Sequence, residues 1–220
     1  LVGLGLPQPE LLERHVDLLA DAVTKELHLK GAVRTNLLLL MVGCIGSGKS
    51  ALAHRLAELT RMTELSTYML NLLLDRFVPD LVSDLDIESW ERYWLRQEIK
   101  FGLKQEMLQE LLNQELVVIL NSCHLRRFER ERLISIARRR GYKVIILEMC
   151  IEEEQLIANL KRRGGKKGFP KLRSIYLAQQ TFCDPVDISE ADGYIMTCEN
   201  QDVQALTDRI WQMYCGFMLR

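Results

Sequence analysis

The chain has 220 residues, of which 48% are hydrophobic and 27% charged, and a formal net charge of −1. That length suits one domain, or two at most, and is enough to bury a real core. The near-neutral balance excludes attachment to nucleic acid or membrane by global charge, and the longest strongly apolar run, 37–42, is far too short to span a bilayer.

Cysteines stand at 44, 123, 150, 183, 198 and 215 with no Cys-x-x-Cys pair, which argues against zinc. Their scatter points to free thiols in a reducing, cytoplasmic setting. The N-terminus has no charged start before an apolar stretch, so no signal peptide is read there. Charge is unevenly spread: 75–115 leans acidic, and basic residues outnumber acidic ones between 121 and 170. The basic stretch is either a set of solvated helix faces or a surface for phosphates or RNA.

In chain order, Pro9–Lys30 repeats apolar residues at helical spacing and ends at Gly31. Asn36–Val42 reads as a buried parallel strand, and Ser50–Leu59 as a helix. Tyr68–Leu74 is expected as the second strand, ending at Asp75. Ile87–Glu115 is helical, Leu116–Leu120 a buried strand, and Arg126–Arg140 a basic helix stopped by Gly141. Lys143–Glu148 is a strand and Glu152–Arg163 a helix. A basic, glycine-rich loop at Gly164–Pro170 follows, with helix again over Lys171–Thr181. Gly193–Thr197 is a fifth strand and Gln201–Met218 a closing helix. This alternation predicts an α/β fold in a single domain over 1–220: five strands, mainly parallel, with helices on both faces. Residues 1–31 are expected as a helical extension and 161–173 as a lid.

Gly43-Cys44-Ile45-Gly46-Ser47-Gly48-Lys49-Ser50 follows a strand and opens a helix, the setting a phosphate-binding loop requires. Its glycines let the backbone turn tightly and aim N–H groups inward, and the helix start adds its positive dipole end. Lys49 is placed to reach the β- and γ-phosphates of a nucleoside triphosphate, and the Ser50 hydroxyl to take magnesium. Cys44 reads as a small filler.

A phosphotransferase of this layout needs a carboxylate at a neighbouring strand end to orient the acceptor hydroxyl. Asp75 is the candidate, the alternative being a helix cap or surface acid, whereas Asp80, Asp84 and Asp86 read as solvated loop acids. The third strand runs into Asn121, where a charged acid is expected to support magnesium, and His124 reads as a plain loop histidine. Lys161, Arg162, Arg163, Lys166, Lys167 and Lys171 offer cations for the transferring phosphate, with Gly164, Gly165 and Gly168 as hinges.

On these residues, 37–185 resembles the P-loop NTPase kinases that include polynucleotide kinase, zeta toxin and L-seryl-tRNA(Sec) kinase, the last most closely. The loop matches in full. Asp75 with Phe77 and Pro79-Asp80, Leu95-Arg96-Gln97-Glu98, Leu116–Arg130, Lys161–Lys167, and Pro170, Ile175 and Pro185 match by spacing. The resemblance implies ATP and Mg2+ as cofactors, tRNA or another RNA as partner, Asp75 on the acceptor, and Arg162 and Arg163 on the transferring phosphate. Two segments depart: Asn121-Ser122-Cys123 replaces an acidic signature, and Ala158 stands where the lid's leading arginine is expected. The C-terminal part that would grip tRNA is reduced to 201–220.

Three functions follow from this reading. The first is a kinase acting on a hydroxyl of RNA or aminoacyl-tRNA. The second is a nucleotide-binding scaffold or weak ATPase with a decayed transferase site, motivated by Asn121 and Ala158. The third is a small-molecule kinase, kept open by the absence of global positive charge.

Overall fold

The computed structural model describes residues 34–77, 90–198 and 200–219. The helix expected over Pro9–Lys30 and the acids Asp80, Asp84 and Asp86 lie outside them. In chain order the elements are β1 (Leu37–Val42), α1 (Lys49–Thr60), β2 (Thr63–Ser66), α2 (Thr67–Phe77), α3 (Trp90–Asn113), β3 (Val118–Asn121), α4 (Arg127–Arg138), β4 (Lys143–Met149), α5 (Glu153–Thr181), β5 (Gly193–Thr197) and α6 (Val203–Met218). They form two compact units: Ala32–Ser66 with Leu112–Arg220, and Leu1–Gly31 with Thr67–Leu111.

The first unit is built on the sheet. Its order is β2-β3-β1-β4-β5, and every neighbouring pair is parallel. β1 is central, pairing Leu38–Leu40 with Val118–Leu120 on one side and Leu37–Val42 with Lys143–Glu148 on the other. Its sequence, Leu-Leu-Leu-Leu-Met-Val, has no polar face because both faces are covered, and each residue is at most 2% exposed. Leu37, Leu39 and Met41 join Ile119, Ile145 and Leu147 in a core closed by Leu52 and Leu56 of α1 and Leu206 and Ile210 of α6. Each fully buried Leu or Ile contributes about 1.5–3 kcal/mol relative to exposure.

Local signals place the helices. Asp202 caps α6, its Oδ1 accepting from the Gln204 and Ala205 amides at 2.9 and 3.3 Å, an arrangement that typically stabilises by about 1 kcal/mol. α1 stops where Arg61 turns to φ 57° and donates its N–H to Ala57 O. α4 packs along β4, with Leu133, Ile134, Ile136 and Ala137 buried.

The second unit contains α2 and most of α3. Along α3, Ile99, Leu103, Met107 and Leu111 are buried at four-residue steps, the stripe of an amphipathic helix.

Two expectations are corrected. The second strand is Thr63–Ser66, not Tyr68–Leu74, which lies in α2. Thr63-Glu64-Leu65-Ser66 alternates buried and half-buried positions, as a strand does. Tyr68–Leu74 is rich in Leu and Met with no β-branched residue, so local preference favours helix. The basic loop expected at Gly164–Pro170 is helix on both sides of one break, at Gly165 (φ 56°, ψ −165°). That conformation is essentially reserved for glycine.

Candidate nucleotide-binding site

The phosphate loop leaves the end of β1 and enters α1. Gly43 N–H donates to Cys123 O at 3.1 Å, tying the loop's start to the segment after β3. Gly46 and Gly48 have φ of 84° and 88°, a region that L side chains rarely occupy. At Gly46 a β-carbon would also lie 2.8 Å from Leu160 Cδ2. Gly48 is the N-cap of α1 and offers no side-chain acceptor, an arrangement that suits the first-turn amides to binding an anion.

Lys49 is 6% exposed and curls over the loop, its Nζ donating to Cys44 O at 2.7 Å and Ser47 Oγ at 3.2 Å. A phosphate oxygen offers that ammonium a full charge in place of a carbonyl dipole. Ser50 is exposed, and its Oγ donates to Asn121 Oδ1 at 3.5 Å. Asn121 is the last residue of β3, and its Nδ2 donates to Glu64 Oε1 at 2.7 Å. The Ser50 hydroxyl, backed by an amide oxygen and a carboxylate, is an all-oxygen set of the kind magnesium takes beside substrate phosphates. Among the described residues, no group of three His, Cys, Asp or Glu could hold a metal by itself.

Sequence reasoning missed two residues that hold the loop and one, Glu64, that holds Asn121. Asn159 Nδ2 donates to Gly46 O at 3.0 Å, and Ile45 N–H donates to Gln179 Oε1 at 2.7 Å. Asn159 and Gln179 come from the two halves of α5, which bend at Gly165 and pack Leu156, Leu160 and Tyr176 against Cys44 and Ile45. Both are polar residues buried by the fold, Asn159 at 7% and Gln179 at 8% exposure, and nothing local in the sequence marks them.

The remaining expected residues fall in three places. Arg162 is exposed and donates to Asn159 Oδ1 at 3.2 Å, so it is one side chain removed from the loop. Arg163 is exposed on α5, with Lys161, Lys166, Lys167 and Lys171. Asp75 lies inside α2, in the other unit, and not at a strand end. His124 is 1% exposed, with Nδ1 2.8 Å from Met41 O, a buried structural contact. Burial, then the neighbouring Cys183 and Cys123, push the Cys44 thiol up to about 11 against the opposing pull of Lys49, which fits a filler.

Residues 38–182 match a family model described as AAA domain. Among curated proteins no sequence matches. Solved structures with the same fold include a sugar kinase from Janibacter sp., with 17% identity over 83% of this chain and 95% of that one, at a TM-score of 0.54. Kti12 from Chaetomium thermophilum in complex with ADP-AlF3 has 15% identity over 80% and 98%, at 0.57. The APS kinase of Mycobacterium tuberculosis, in complex with AMPPNP and APS, has 14% identity over 82% and 98%, at 0.52. With the loop, the strand order and the family match in agreement, this chain belongs to the AAA domain family and has the α/β fold of P-loop kinases.

Proposed function

We propose that this chain is an ATP-dependent kinase that transfers the γ-phosphate to a hydroxyl carried on RNA or aminoacyl-tRNA. The observation that carries the reading is the loop, with Lys49 folded over its backbone and Ser50 facing the end of β3. The exposed cations on α5 support a polyanionic acceptor.

The acceptor oxygen attacks the γ-phosphorus in line. The bond to the β,γ-bridging oxygen breaks, ADP leaves, and the acceptor's proton passes to a general base, the role that the family resemblance alone gives Asp75. Lys49 exchanges Cys44 O for the β- and γ-phosphate oxygens. Arg162 and Arg163 spread the charge of the transferring group. Ser50, with Asn121 behind it, would hold magnesium, which when bound neutralises the β- and γ-oxygens.

The test is transfer of labelled γ-phosphate from ATP to total tRNA, with Lys49→Ala as control. Label that disappears with the variant supports an RNA-directed kinase. ATP bound without label in RNA overturns it. Asp75→Asn is expected to reduce transfer about a hundredfold or more with little change in ATP affinity, and unchanged transfer removes Asp75 from the mechanism.

The sugar kinase and APS kinase neighbours favour a second reading, a small-molecule acceptor. Salt separates the two: affinity for an RNA held through its phosphates falls steeply between 50 and 200 mM salt, by about 10³ where several are contacted, and affinity for a small neutral acceptor does not.

A further inference from the structure

Asn121 is 4% exposed with both ends of its amide engaged, Nδ2 on Glu64 Oε1 at 2.7 Å and Oδ1 accepting from Ser50 Oγ at 3.5 Å. A carboxylate only accepts, so Glu64 must face the NH2 end. That choice turns the amide oxygen toward Ser50. The Ser50 hydroxyl then gives its proton to Asn121 and keeps its own lone pairs for a cation.

Glu64 sits on β2 opposite Ile119, two residues before Ser66, which is opposite Asn121. Its side chain is 19% exposed, and its second oxygen lies 3.8 Å from Nδ1 of the largely exposed His54. Its carboxylate therefore has one amide donor, Asn121, and one nearby imidazole, His54. His54 is four residues beyond Ser50 on α1, so both lie on one face of that helix, Ser50 against Asn121 and His54 against Glu64.

We propose that Glu64 supplies the negative charge of the magnesium site, acting through Asn121 as a positioning residue. The charge expected at the end of β3 stands one strand over, and Asn121 relays it to Ser50. The neutral Asn121 is then the complement of Glu64. An aspartate in its place would set two carboxylates within hydrogen-bond distance, where both do not ionise easily. This inference rests on the cation site of the kinase reading and not on phosphate transfer.

The experiment uses the full chain with AMPPNP and Mn2+ in place of magnesium, with bound Mn2+ read by electron paramagnetic resonance. Glu64→Gln is expected to weaken Mn2+ binding about tenfold or more, as loss of an outer partner of a metal site does, while AMPPNP affinity in EDTA is unchanged. Glu64→Gln combined with Asn121→Asp moves the charge to β3 and keeps the hydrogen bond, and is expected to recover most of the lost affinity. The double variant also decides the case if the single one does not fold. Unchanged Mn2+ affinity in Glu64→Gln, no recovery in the double variant, or no Mn2+ bound by the unaltered chain overturns the proposal. Intact Mn2+ results without transfer to any acceptor overturn the kinase reading and leave this one standing.

Discussion

Arg130 Nε donates to Glu190 Oε2 at 2.6 Å and Arg130 Nη2 to Glu190 Oε1 at 2.8 Å, with side chains 0% and 1% exposed. Arg130 also donates to the carbonyls of His124, Leu125, Asp184 and Pro185. One guanidinium therefore fastens the 184–190 segment to the turn after β3, whose Cys123 carbonyl receives the first amide of the phosphate loop. The pair lies behind the site and holds its frame.

Removing Glu190 leaves a buried, unpaired guanidinium, so Glu190→Ala is expected to cost about 3–5 kcal/mol, measured by urea unfolding. Burial by itself raises the Glu190 carboxyl, but the Arg130 hydrogen bonds and charge outweigh it and hold the group below the ordinary glutamate range. A depressed folded pKa contributes stability that is present above the unfolded value and lost as pH falls through the folded one. Unfolding free energy should therefore drop below about pH 4, and less of that drop should remain in Glu190→Gln. An identical acid profile in the variant would contradict this.

Asn159 joins the loop to the cations of α5, giving its NH2 to Gly46 O and taking Arg162 on its oxygen. Asn159→Ala is expected to weaken nucleotide binding about tenfold by calorimetry, since a neutral hydrogen bond that holds a binding loop is worth about 1 kcal/mol or somewhat more. Arg162→Ala should leave ATP affinity nearly intact and reduce transfer. Equal losses in both variants would show that Arg162 serves only to hold the loop.

Two glycine substitutions should act in opposite directions. At Gly46 a methyl group meets Leu160 and sits at φ 84°, so Gly46→Ala is expected to destabilise by about 1–3 kcal/mol and to remove nucleotide binding. Gly102 lies inside α3 with nothing among the described residues within 4 Å of an added β-carbon, so Gly102→Ala should stabilise by about 0.5–1 kcal/mol. Thermal melts of the two variants decide both.

With its thiol at about 11, Cys44 is about one part in a thousand thiolate at pH 8. Iodoacetamide should therefore label the exposed Cys150, Cys198 and Cys215 well before Cys44. Peptide mapping by mass spectrometry reads the order, and early labelling of Cys44 would rule out the filler reading.

The sheet and the loop were legible because their signals are local. β1 is an unbroken apolar run, and Gly43–Ser50 carries its chemistry in contiguous residues. β2 was missed because four residues with one buried leucine carry little pattern, while the adjacent Tyr68–Leu74 run is more apolar but forms helix. The basis for Asp75 as a strand-end acid went with it, which leaves the family resemblance as its support. Glu64, Asn159 and Gln179 were not legible because each acts on a residue at least 57 positions away. A polar side chain carries no mark of such a partner until the fold sets the two side by side.

The place of β1 in the sheet sets how the site fails. Its amides and carbonyls are laddered to a strand on each side, so exchange of the amides with deuterated solvent requires opening of the sheet. The nucleotide loop is an extension of that strand, anchored by Gly43. Slow isotope uptake across 37–42 and nucleotide affinity should then vanish together at one denaturant concentration, with no milder condition that empties the site while the sheet survives.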